Sequence, residues 1–213
     1  FRVYRSYIST SGSFGLTSML DFSSGGNLRI DGLNNTHYET VFPIGMNGEY
    51  SPIQLTSVAG TNLNGYFQVT VTDSRHPLAA GSDNAITRYW DVLTPGLTLT
   101  SISGFLQYTN NDVLAPIVET NLTTVGRLSS AGWQTNETGT SYNHTSNRII
   151  LSAASAITGS WTLGEDAGCF DGTLPDKYTV NAGNWNTGSI WNGGTVPAPT
   201  DDVSVLHAVT LNA

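Results

Sequence analysis

Apolar residues in this chain recur at every second position and almost nowhere at the three-to-four spacing of a helix. In Gly65–Thr72 the side chains of Phe67, Val69 and Val71 share one face while Tyr66, Gln68, Thr70 and Thr72 share the other, which is the pattern of a half-buried antiparallel strand. Similar runs are Arg2–Ile8, Asn27–Asp31, Ile53–Val58, Thr87–Val92, Leu97–Leu106, Ile117–Thr123, Arg148–Leu151 and Gly159–Leu163, separated by Gly, Asn, Asp and Pro clusters. The nearest approach to a helix, Leu151–Ile157, is short and serine-containing and reads as a strand and turn. Only 11% of residues are charged, against about 25% in an ordinary soluble domain, too few for long surface helices. Many short strands at about ten-residue spacing predict an all-β chain: an antiparallel β-sandwich, jelly-roll-like, with a C-terminal strand or solenoid-like extension.

Charge and cysteine content narrow the function classes. Eight Lys and Arg stand against sixteen Asp and Glu, a net charge of −8, and such a field repels phosphate backbones, so nucleic acid is not an expected partner. The single Cys169 excludes an intrachain disulfide and a multi-thiolate zinc site; it reads as a small buried thiol. No apolar stretch is long enough for a membrane-spanning helix, so membrane insertion is not expected.

Three zones follow from composition. Residues 1–39 carry small-residue strands and a Ser23-Ser24-Gly25-Gly26 turn, expected to pack on the sandwich or to close a preceding solenoid. Residues 40–164 form the sandwich core. Residues 165–213 begin as a loop with Asp166, Asp171 and Asp176, continue through Trp185, Trp191 and Gly193-Gly194, and end in a strand expected over Asp202–Leu211, where Val203 and Val205 alternate with Ser204 and Leu206.

This last zone, with Trp185, Trp191, Gly193-Gly194, Val196-Pro197, Asp201-Asp202-Val203 and His207-x-Val209-Thr-Leu211, resembles the opening of β-solenoid repeats in large secreted surface proteins and adhesins of the Bacteroidetes, typically exported by the type IX pathway. Phe42-Pro-Ile-Gly45, Tyr50-Ser-Pro-Ile53, Arg88-Tyr-Trp-Asp91 and Trp161 resemble a module of the same proteins. The resemblance implies architecture more than activity. It implies placement outside the cell or on a bacterial surface, and chain ends that are cuts through a repeating array. A solenoid coil cannot bury its inner face alone, so the terminal strand needs cover from further coils. Alternatively it pairs with an edge of the next subunit, as in donor-strand polymers. The assembly residues on either route are Asp202, Val203, Val205, His207, Val209 and Leu211.

No catalytic constellation emerges. His37, His76, His144 and His207 lie in four unrelated contexts, Ser13 and Ser160 lack the rest of a nucleophile elbow, and the glutamates fall in no recognisable pair. An enzyme is therefore not expected. Calcium is the cofactor the acidic loops would suit, through Asp166, Asp171, Asp201 and Asp202, although no Asp-x-Asp-x-Asp-Gly loop occurs and an Asp-Asp pair before a strand commonly serves turn-forming bonds. Trp133, in polar surroundings, is the carbohydrate-stacking candidate for a surface glycan, whereas Trp90 and Trp161 belong to the core and Trp185 and Trp191 would cap a solenoid end. Sequons at Asn34, Asn121, Asn136 and Asn143 reflect composition alone, and Lys177, the only lysine, sits in no isopeptide motif. The expected function is a structural or adhesive module of an extracellular filament, stalk or adhesin that assembles through β-strand contacts with neighbouring copies or modules. The alternative is a carbohydrate-binding module of a secreted polysaccharide-degrading protein.

Overall fold

The computed structural model describes residues 2–4, 19–31, 40–62, 64–79, 84–171 and 174–211. Ser13, Asn34, His37 and the end of the first expected strand lie outside them. The elements in chain order are β1 Arg2–Tyr4, β2 Leu20–Asp21, β3 Leu28–Asp31, β4 Thr40–Phe42, β5 Ile44–Met46, β6 Glu49–Tyr50, β7 Ile53–Asn62, β8 Tyr66–Thr72, β9 Tyr89–Leu93 and β10 Thr98–Gln107. They continue with β11 Thr124–Ser129, β12 Gly132–Thr135, β13 Thr140–Asn143, β14 Arg148–Ala154, β15 Gly159–Gly164, β16 Lys177–Tyr178, β17 Gly183–Asn184, β18 Val203–Ser204 and β19 Val209–Thr210. The chain is all-β, as expected.

Two sheets make the sandwich. One has seven strands in the order β1-β3-β8-β9-β15-β11-β12, and the other five in the order β13-β14-β10-β7-β4. All pairings in them are antiparallel except β1 with β3. Their facing sides share one core: Phe67, Val69 and Val71 of β8, Trp90 of β9 and Trp161 of β15 meet Ile53 and Leu55 of β7, Leu106 of β10 and Ile149 of β14. Each buried large side chain contributes about 1.5–3 kcal/mol. Gly104 marks a bulge in β10: its φ is 155°, and a Cβ there would stand 2.0 Å from the Gln54 carbonyl oxygen, so only glycine lets the two long strands close together.

Residues 1–39 contribute β3, which pairs with β8, so this part of the zone belongs to the sandwich sheet. The strand expected over Ile117–Thr123 is a bend. Ile117, Asn121 and Leu122 donate their N–H groups three residues back, to Leu114, Val118 and Glu119, and burial of Ile117 and Leu122 pins the turn from both ends.

The two halves of the seven-stranded sheet differ. β8 alternates buried and half-buried positions, whereas β11 and β15 are buried almost without interruption. Residues 165–211 cover the outer face there. Gly126 and Gly164 leave the hollow: a Cβ on Gly126 would fall 2.6 Å from the Phe170 ring and one on Gly164 2.8 Å from Cys169 Sγ. Phe170 and Cys169 are both buried.

Phe67→Ala is expected to cost about 3–5 kcal/mol of unfolding free energy, and Thr100→Ala at an exposed strand position less than about 0.5 kcal/mol. Urea denaturation followed by tryptophan fluorescence measures both; equal costs would contradict the assigned faces.

Candidate functional site

Three arrangements carry the polar chemistry of the molecule. The first surrounds Arg88. Asn47 and Gly48, with φ of 56° and 80°, turn the β5–β6 hairpin and bring Glu49 onto the guanidinium. Arg88 is fully buried, donates from Nε and Nη2 to Asp112 Oδ1 at 3.0 and 2.9 Å, pairs with Glu49, and reaches Asp73 at 3.5 Å. Thr109 donates its backbone N–H to Asp112 at 2.6 Å. Loss of hydration lifts the Asp112 carboxyl above the usual range, with Arg88 and Thr109 opposing. Trp90, two residues from Arg88, donates its indole N–H to the Ser51 carbonyl at 3.0 Å. The Phe42–Gly45, Tyr50–Ile53 and Arg88–Asp91 segments thus meet at one point in the core. Glu49, Asp73 and Asp112 are the one group of three potential metal-ligating side chains among the described residues, and Arg88 supplies their cation.

The second is an aromatic stack on the outer face. His76 is buried between Tyr89, at 4.8 Å, and Trp133, at 5.1 Å; Trp133 also packs on Phe170 at 4.7 Å and donates its N–H to the Leu78 carbonyl at 2.9 Å. Burial, with the charge of His207 adding to it, pushes the His76 imidazole down to about 3.

The third is the C-terminal coil and the cleft beneath it. β16 pairs in parallel with β18 and β17 with β19, both at the same offset of 26 residues, 177 to 203 and 183 to 209. Thr179 N–H donates to Ser204 O at 3.1 Å and Trp185 N–H to Thr210 O at 3.0 Å, extending the same ladder. Val180 and Leu206, also 26 apart, pack into one cluster with Tyr178 and Leu128. The strand expected over Asp202–Leu211 is therefore two short strands with a bend at His207, and the bend turns Leu206 inward while Val205 is 53% exposed. The coil is fastened to the sandwich by the Tyr178 hydroxyl, which donates to the Ser129 carbonyl at 2.7 Å. Trp191 is buried at its centre, its N–H donating to Trp185 O at 2.9 Å.

Between coil and sheet lies a cleft of about 610 Å³, lined on one side by Asp91, Arg127, Ser129 and Ser160 and on the other by Tyr178, Asn181, Ser189, Trp191 and His207. Asp91 accepts a short hydrogen bond from the Ser160 hydroxyl. Its carboxyl is raised by lost hydration, with His207 and Ser160 opposing. His207 Nδ1 lies 2.9 Å from the Thr179 carbonyl, so Nδ1 carries a proton and Nε2 is the ring nitrogen left to face the cleft. Arg127 is held away from the cleft chemistry by a two-pronged pair with Glu137, at 2.6 and 2.8 Å, and by the Thr158 carbonyl.

The four aspartates expected to hold calcium are dispersed. Asp166 and Asp171 flank Gly168 on the surface, Asp201 Oδ2 accepts from Ala198 N–H at 2.8 Å in a turn, and Asp202 lends its backbone, N–H to Asp176 and carbonyl to Lys177. None belongs to a three-ligand group among the described residues. Trp133 is spent on packing. The Arg88 cluster and the Asp91–His207 cleft are not legible in the sequence, because the partners lie 15 to 116 positions apart, although the motifs around Arg88 are. Comparison with family models, curated proteins and solved structures returns no match in any of the three.

Arg88→Met leaves three carboxylates without their cation and should cost about 3–5 kcal/mol at neutral pH, a deficit that narrows on acidification as the raised Asp112 takes up a proton; melting temperatures across pH test this, and a pH-independent deficit would refute it. His76 makes the opposite test. An unfolded histidine binds a proton below about 6.5 and the folded one resists until about 3, so the wild type loses stability as pH falls through that window. His76→Phe should be less stable at neutral pH by about 1–3 kcal/mol, for the lost acceptor of Leu78 N–H, yet show a flatter acid limb.

Proposed function

We propose that this chain is a structural or adhesive module of an extracellular filament, stalk or bacterial surface adhesin, in which the sandwich is the base for a β-solenoid that neighbouring copies or modules extend. The observation that carries the reading is the shared 26-residue offset of two separate parallel pairs. A single parallel contact arises in many folds, whereas two at one period, with a stacked inner column, are the first repeat of a coil.

The chemistry of the outer coil agrees. Val205 and Leu211 are 53% and 75% exposed, and the two strands they flank have one hydrogen-bonded neighbour each among the described residues. A parallel edge with apolar side chains beside it is a template for another strand pair. The low charge of the chain fits the same role, since ionised side chains in tight contacts between modules would need costly desolvation. The Trp, Gly-Gly and Asp-Asp elements that resemble solenoid openings in large secreted surface proteins occupy this coil, and they support placement at the cell surface.

Sedimentation velocity over a concentration series tests the reading. Residues 1–213 should associate with rising concentration, and Val205→Lys with Leu211→Lys should remain monomeric with the sandwich still folded by circular dichroism. A wild type that stays monomeric throughout, or double-variant behaviour identical to it, would overturn assembly through this edge.

A further inference from the structure

The cleft between coil and sandwich is not needed for stacking coils, and its lining is chemically selective. Its volume of about 610 Å³ lies within the range of about 300–1,000 Å³ common to small-molecule sites. A second cavity of about 310 Å³ continues it along the seam and shares Asp91, Leu93 and His207. These two ionisable side chains therefore stand at the midpoint of one groove, with the larger chamber toward Trp191 and the smaller toward Gln68.

The polar groups that face the larger chamber are of one kind. The side chains of Ser130, Asn181 and Ser189 line it and make no hydrogen bond with other described residues. Hydroxyls and amides both donate and accept, and so does a sugar hydroxyl. Asp91 adds a strong acceptor and the His207 ring a further polar edge. Carbon surface comes from Val180 and the neighbourhood of the buried Leu128 and Trp191. An anion is a poor match: the only guanidinium in the lining is neutralised by Glu137, and the chain carries a net charge of −8. A metal ion is a poor match as well, because Asp91 is the sole carboxylate of the lining. A purely apolar ligand would strand the amide and hydroxyls without partners, each at a cost of about 1–3 kcal/mol.

We propose that this cleft binds a saccharide, a neutral hydroxyl-rich ring held by Asp91, Asn181, Ser189 and His207 with its C–H face against the Trp191 side of the chamber. The bound ring touches the sandwich through Asp91 and the coil through Asn181, Ser189 and His207, so it bridges the two parts. The site is distinct from Trp133, whose ring is packed against His76 and Phe170. It stands independently of coil stacking, since it uses the inner side of the coil and not its outer edge.

Saturation-transfer NMR on the whole chain tests it with glucose, galactose, N-acetylglucosamine and their disaccharides as probes, and with glucuronate and inorganic phosphate as anionic comparators. At least one neutral sugar should receive saturation, and a disaccharide binding more tightly than its monosaccharide would place a glycan chain along both chambers. Asp91→Asn and Asn181→Ala should each raise the dissociation constant about tenfold, the loss of one hydrogen bond to a well-held ligand. Asn181 is half-buried in a bend of the coil and outside the sandwich core, so its variant keeps the test valid if the Asp91 variant is poorly folded. Trp133→Phe should bind as the wild type does. Absence of transfer to every neutral sugar, equal transfer in both cleft variants, or preference for glucuronate or phosphate would each overturn the proposal. Failure in sedimentation leaves this result standing, and the converse also holds.

Discussion

The structure depends on how the outer face of the seven-stranded sheet is covered. β11 and β15 place buried side chains on both faces, a condition that an antiparallel sandwich with one solvated face does not impose. Something must lie over Leu128, Gly126 and Gly164, and in this chain the cover comes from residues 165–211, with Phe170 in the glycine hollow and Tyr178 against Leu128. The coil is held where it is by that requirement. The cleft follows the same boundary, bordered by Asp91, Val92 and Leu93 of β9 and Arg127, Leu128 and Ser129 of β11.

Charge is used sparingly and with consequence. Arg88 and Arg127 are both buried, and each is matched to carboxylates, Arg88 with Glu49 and Asp112 and Arg127 with Glu137. Breaking such a pair strands the remaining charge and costs more than the pair contributes when intact. Arg88 therefore ties the β5–β6 hairpin and the turn at Asp112 to the start of β9, while Arg127 closes β11 over the Thr158 loop. Asp91 differs. Its hydrogen bond is to the Ser160 hydroxyl and His207 faces it from another part of the chain, so the seam holds a half-buried carboxylate that no arginine pairs among the described residues.

Much of the sandwich was legible in the sequence, because period-two runs such as Phe67-Val69-Val71 report a face directly. Trp90 and Trp161 in strands are buried as expected, and of the two tryptophans expected to cap a solenoid end Trp191 is buried and Trp185 half-buried. Ile117–Thr123 misled because a 3-10 turn with apolar residues at its two ends copies the composition of a strand. The packing of Trp133 was not legible, because polar neighbours in sequence say nothing about His76 and Phe170, which reach it from other parts of the chain. The terminal strand was partly legible: Val203 and Val209 do enter ladders, but the alternation breaks at His207, where the Thr179 hydroxyl takes the N–H groups of both Leu206 and His207 at 2.8 and 2.9 Å. No local pattern encodes a bend made by a hydroxyl 28 residues away.

That hydroxyl joins the two themes of the molecule. Thr179 sits in the first turn of the coil, is buried, and fixes the second turn by binding its backbone; its carbonyl also holds the His207 ring that faces Asp91. Coil stacking and cleft geometry thus share one residue. A displacement of the outer strands would carry His207 with it and alter the chamber, and a ligand wedged between Asp91 and His207 would resist that displacement. The two-residue ladders of β16–β18 and β17–β19 pair far fewer residues than β7 does with β10, so the coil opens at lower cost than the sandwich does. A ligand that binds between Asp91 and Asn181 would raise that cost, because it binds only the closed arrangement.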